Sequence, residues 1–179
     1  AARWLGMPIA ALSDLQRVLV VGSNLRKDHP LFAQRIRQAV RHGGQVNALM
    51  DSEQDWAMPR KNTLVADSAL WVRALAGVAV AVAAEKGVQA PVAAEAGEDA
   101  KAIAKSLLGG ERKAILLGNA AAHHEKATSL LALAHWIAQQ TGAQVGYLTE
   151  AANTVGAQLV RAVPGQGGLN ATQMLGQSL

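Results

Sequence analysis

Cysteine is absent from all 179 residues, which excludes disulfides, thiolate zinc sites and iron–sulfur ligation within this sequence. The redox compartment therefore cannot be read from cysteine usage. Aromatic residues make up only 3% of the chain, while half of it is apolar and much of that is alanine, so closely packed helices are expected rather than a core of bulky side chains. Long hydrophobic runs are missing too. The longest, Ala74 to Ala84, is eleven residues between Arg73 and Glu85, short of the roughly 20 that a membrane span needs, and reads as a packed helix. No charged amino-terminal region leads into an apolar stretch, so no signal peptide is expected. The sequence opens Ala-Ala-Arg-Trp, and a start inside a longer protein is expected. Gly-x-Gly-x-x-Gly and Gly-x-x-x-x-Gly-Lys-Ser/Thr are both absent, which removes the usual dinucleotide fingerprint and the phosphate loop. Gly-x-Ser-x-Gly and Ser-x-x-Lys are absent as well, and no pair of carboxylates stands at a persuasive spacing, so catalysis by these residues alone is not expected.

What is there suffices for one folded core. The formal charge is +4, and Arg17, Arg26, Lys27, Arg35, Arg37 and Arg41 crowd one short stretch with Asp28 as its only acid, which predicts a partly basic face. Such a face either binds phosphate or is a solvated helix surface. Aromatic interleaving and recognition motifs are lacking, so nucleic-acid binding is not expected.

Val18 to Val21 suits a parallel strand covered on both faces, ended by Gly22 where a tight turn is needed. Pro30 fits the first turn of a helix over about 30–42, with Phe32, Ile36, Ala39 and Val40 on one face and Gly43-Gly44 as its stop. A second strand is expected over 46–50 and a short third over 64–66, followed by a helix over 68–86 capped by Asp67 or Ser68. Residues 88–97 read as a surface linker and 98–108 as a helix with acids at its positive end. A strand over 114–117, a helix over 126–141 and a strand over 145–148 complete a three-layer αβα domain, residues 1–149, with a mostly parallel, Rossmann-like sheet. Residues 150–179 are rich in Asn, Gly, Gln and Ala and predict an extended segment, with short helices near 153–160 and 170–177, that packs on the domain or on a neighbour.

Two strand exits echo each other: Gly22-Ser23-Asn24 and Gly118-Asn119 each place Gly and Asn after a buried strand and before a helix. Ligands of open parallel sheets bind outside the carboxyl edge, so Gly22, Asn24, Gly118 and Asn119 could meet in one crevice, with Asp51 placed as a ribose acceptor after the second strand. Equally, the asparagines could simply support the turns. His123-His124-Glu125 lacks a third well-spaced ligand, and adjacent helical positions diverge, so no metal site is expected. His29 is read as supporting the loop, and His42 as a favourable cation at a helix end. Trp4, Trp56, Trp71 and Trp136 are evenly spread, which argues for packing rather than an aromatic binding groove.

Three stretches together carry a family resemblance: Val20 to Arg37, Lys113 to His124, and Glu150 to Ala157. They resemble the molybdopterin oxidoreductase-like region of the large iron–sulfur subunit of NADH:quinone oxidoreductase, respiratory complex I. The Ala-Asn-Thr-Val-Gly-Ala stretch, 152–157, points to the complex I branch. The resemblance implies that the loops at Gly22, Asn24, Asp51, Gly118 and Asn119 match those that hold molybdopterin guanine dinucleotide in the molybdenum enzymes. Where those enzymes often carry Asp-Pro-Arg, this chain has Asp51-Ser52-Glu53, so an anionic ligand would meet Glu53. In the complex I branch the resemblance implies a noncatalytic scaffold without cofactor, with iron–sulfur clusters in a preceding part of the parent chain. The implied partners are the other complex I subunits, without nucleic acid or direct membrane insertion, at the cytoplasmic side of the bacterial inner membrane. The alternative is a small-molecule binding module that keeps a pterin or nucleotide crevice.

Overall fold

The computed structural model describes residues 3–177; Ala1, Ala2 and the last two residues of the expected tail, 178 and 179, lie outside the description. Five strands, β1 (Arg17–Val21), β2 (Gln45–Met50), β3 (Asn62–Val65), β4 (Lys113–Leu117) and β5 (Gln144–Tyr147), form one sheet in the order β3-β2-β1-β4-β5. All neighbours pair in parallel. Arg17 aligns with both Gln45 and Lys113, and Val21 with both Leu49 and Leu117. The helices are α1 (Leu25–Asp28), α2 (Pro30–Arg41), α3 (Trp71–Lys86), α4 (Glu98–Leu108), α5 (Asn119–Ala122), α6 (Ala127–Thr141), α7 (Thr154–Leu159) and α8 (Ala171–Gln177).

The expected three-layer architecture is present, and the central run Val18 to Val21 explains it, since these four side chains are at most 1% exposed. Alternation sends Leu19 and Val21 into the core shared with α3, α4 and α6, and Val18 and Val20 into the core shared with α2. Chain order moves outward from β1 to β2 and β3, then returns to β4 on the other side. The switch in strand order therefore falls between β1 and β4, between the two Gly-bearing exits.

Local chemistry accounts for most of the boundaries. Pro30 opens α2, and Ala33, Ile36 and Ala39 form its buried stripe, with Phe32 and Val40 packed beside it. A 3₁₀ turn over Ser68–Leu70 precedes α3, and the Asp67 carboxylate accepts the Ala69 N–H at 2.9 Å. Gly87 ends α3 in a left-handed conformation. Ser68–Lys86 is long and apolar enough to cross a membrane by length and composition, with half of that stretch buried within the protein. Trp71, Leu75, Val78 and Val82 are among its core residues.

The six clustered cations do not form one basic face. Arg17 starts β1 at the amino edge of the sheet, whereas Arg26 and Lys27 lie on α1, beyond its carboxyl edge. The length of β1 separates them. A 3₁₀ helix over Ile9–Asp14 was not expected; it packs against α2 and buries Leu12.

Candidate functional site

The carboxyl edge at the β1/β4 switch is built by close approach of backbone to backbone. The Gly118 N–H donates to the Val21 carbonyl at 2.8 Å, and the Ala120 N–H to the Gly22 carbonyl at 3.1 Å. A Cβ at Gly118 would run into the Ser23 side chain and stand 2.5 Å from the Gly22 carbonyl oxygen. Gly22 itself has φ of +64°, and a Cβ there would stand 2.6 Å from Trp71 Cζ3 and 2.7 Å from the Ala121 nitrogen. The two glycines are thus brought together, with the Trp71 indole packed over the first of them.

Trp71 is fixed from several sides. It is 2% exposed, its Nε1–H donates to the Ala66 carbonyl at 2.9 Å, and its ring stacks on His124 at 5.9 Å between centroids. His124 Nε2 lies 2.9 Å from the Ser68 carbonyl, so the loop after α5 is held onto the start of α3. His123 pairs with Glu150 at 2.9 Å. Among the described residues, no three His, Cys, Asp or Glu side chains gather in a way that could hold a metal ion.

The loop after β1 turns its donors onto the chain's own carboxylate. Asp28 Oδ2 accepts the Asn24 N–H at 2.8 Å and lies 3.5 Å from the Ser23 hydroxyl. The Asn24 side chain accepts the Lys27 N–H at 3.3 Å, the local turn-supporting role. Asn24 also lines a cavity of about 420 Å³ between the β1 and β2 exits, together with Lys27, Ser52 and Glu53. Asp51 and Asn119 lie outside its wall, so the two asparagines do not share this cavity. Ion pairs brace it: Arg26 with Asp55, and Arg60 with Glu53. The Asp51 carboxylate takes Ser52 Oγ at 3.2 Å and Gln54 Nε2 at 3.4 Å.

A family model for molybdopterin oxidoreductases matches residues 1–178. The chain belongs to the molybdopterin oxidoreductase family. A comparison with curated proteins gives no match. As a member of this family the chain carries an oxidoreductase-type domain, and its switch point is where a family ligand would be sought.

Two contributors to this carboxyl edge, Asp28 and Trp71, and one polar residue inside the sheet, Asn47, escape sequence reasoning. Asp28 stands out in the sequence only as the one acid of a basic stretch; its spacing of four residues from Asn24 is the available signal for a closed loop. Trp71 was expected in packing, which holds, but its partner Gly22 is distant in sequence. Asn47, fully buried in the middle of β2, reads as an interruption of an apolar strand. It donates to the Val18 carbonyl at 3.2 Å and Ser106 Oγ at 3.0 Å, and accepts from Asn62 at 2.7 Å.

Proposed function

We propose that this chain is a noncatalytic scaffold domain of the large iron–sulfur subunit of an NADH:quinone oxidoreductase, respiratory complex I. In this reading the parent complex moves electrons from NADH to quinone at the cytoplasmic side of a bacterial inner membrane. Iron–sulfur clusters would sit in another part of the parent chain, and the partners are the other subunits, with no nucleic acid and no direct membrane insertion. The observation that carries the reading is the closed switch point. A pterin guanine dinucleotide needs free backbone donors for its diphosphate and an acceptor for its ribose. Here the Asn24 N–H is taken by Asp28, and one oxygen of the Asp51 carboxylate, Oδ1, takes Ser52 and Gln54. Glu53 adds a carboxylate to the adjoining cavity. The residues present do not fit the dinucleotide, so no reaction step is assigned to it. The sequence resemblance at 152–157 supports the complex I branch.

The test is to purify the parent complex through a tag on this chain from cells that synthesise molybdopterin, then measure molybdenum, pterin and NADH oxidation. The expected outcome is co-purification of NADH-oxidising subunits with molybdenum far below one per chain. Stoichiometric molybdenum and pterin without NADH-oxidising subunits would overturn the reading. The Asn24 cavity, flanked by Arg26 and Lys27, would then favour a nucleotide-binding module, and a thermal shift with GMP or GDP on the chain alone would support that alternative.

A further inference from the structure

A cavity of about 940 Å³ lies away from the glycine exits, on the outer faces of α3 and α6. A strap over residues 91–95 forms its third wall. The strap is seated by close approach, since a Cβ on Gly77 of α3 would stand 2.8 Å from the Glu95 carbonyl oxygen. Ala76, Leu133 and Trp136 give the groove an apolar lining with few hydrogen-bonding groups, which suits a hydrocarbon body.

Charge is confined to particular places in this lining. α3 and α6 each follow a strand of the same parallel sheet and so begin at the same edge. Arg73, in the first turn of α3, and Lys126, at the start of α6, therefore stand toward one end of the groove. Among the described residues Arg73 has no carboxylate within ion-pairing distance, and Lys126 has only its neighbour Glu125 at 3.8 Å. Glu95 projects from the strap as the only acid of the lining. From Lys126 to Trp136 the helix rises about 15 Å.

We propose that this groove binds a single-headed amphiphile, an acyl-chain carboxylate, with its head at Arg73 and Lys126 and its chain along Ala76, Leu133 and Trp136. Two cations at one end of an apolar groove, Arg73 without an ion-pair partner among the described residues and Lys126 with only the exposed Glu125 at 3.8 Å, match one anionic head, and Glu95 disfavours a second. The proposal is independent of the assignment to complex I.

The probe is dodecanoate, whose extended chain is comparable to the helix rise, titrated below micelle formation against the 179-residue protein. Indole fluorescence is the readout, with Trp136→Phe to assign the signal. Saturable binding is expected, tighter than for dodecanol or dodecyltrimethylammonium. The double variant Arg73→Ala/Lys126→Ala should weaken dodecanoate about tenfold and leave dodecanol unchanged. Ala132→Trp and Ser129→Trp, both at exposed positions of the lining, should fill the groove and abolish binding with the melting temperature retained. Non-saturable binding, equal affinity for the cationic amphiphile, or undiminished binding in a folded groove-filling variant would overturn the proposal. So would binding only when the dodecanoate body is replaced by an acidic amphipathic peptide, which would make the groove a protein-docking surface.

Discussion

Gly118 carries a constraint that no composition argument reveals. Its missing side chain allows the β4 exit to lie directly on Gly22 and Ser23, so Gly118→Ala forces backbone apart rather than filling space. A loss of about 1–3 kcal/mol in urea unfolding is expected, and a loss under about 0.5 kcal/mol would mean that the exits are not in contact. His29 supplies a second test at this scale. Its ring is 5% exposed and stacks on Phe32, its Nε2 is buried without a partner, and burial pushes its pKa below the ordinary value despite the opposing effect of Asp28. The unfolded chain therefore binds the proton more readily than the folded one. Stability contributed by neutral His29 is complete above the unfolded value near 6.5 and falls as acidification proceeds toward the lower folded value. Melting temperature should drop as the pH falls below about 6.5, and His29→Phe should flatten that drop; an unchanged profile in the variant would assign the acid sensitivity to other groups.

Among the elements, β2 and α4 are joined by polar atoms where sequence patterning predicts only apolar packing. Asn47 bonds to β1, to Asn62 of β3 and to Ser106 of α4, and Ser106 Oγ in turn donates to Gln45 at 3.0 Å. Replacing Asn47 by Leu keeps the side-chain branching but leaves the Asn62 amide without its 2.7 Å acceptor. A cost of about 2–3 kcal/mol is expected by denaturant titration, and a neutral or stabilising result would show that the network contributes no net stability. Most elements were legible in the sequence because their signals are local: Pro30 before an amphipathic run, Gly87 and Gly142 after helices, and apolar blocks for the strands. The short helices α1 and α5 were not, since four residues carry no periodicity. The early strand expected at 64–66 lies instead at Asn62–Val65, where pairing with Asn47 to Met50 fixes its register.

For the whole molecule, the body and the tail differ in how they are held. Leu159, Val160 and Val163 are 70–77% exposed, whereas the interior strands are almost wholly buried. The tail meets the body through a few polar contacts, including the Arg3 N–H to Gln158 Oε1 at 2.6 Å and the His123–Glu150 pair. Truncation after Ala151 should therefore lower the melting temperature by only about 2–4 °C, a change of roughly 1 kcal/mol, while reducing assembly into the parent complex if the scaffold reading holds. A collapse of the fold on truncation would show that the tail belongs to the core. Paired measurements of thermal unfolding and complex assembly separate the two outcomes.

The sequence by itself determined that the chain forms a parallel α/β layer structure, because strand burial, helix periodicity and turn residues are encoded within a few positions of one another. It also placed Gly22 and Gly118 at strand exits. Tertiary structure decided what those exits enclose: the β3-β2-β1-β4-β5 order made them neighbours, Trp71 came from a later helix to pack over one of them, and Asp28 took the donors that a phosphate would need. These contacts depend on strand order and side-chain direction, which local pattern does not specify, so the same motif residues can frame either an open crevice or a packed one.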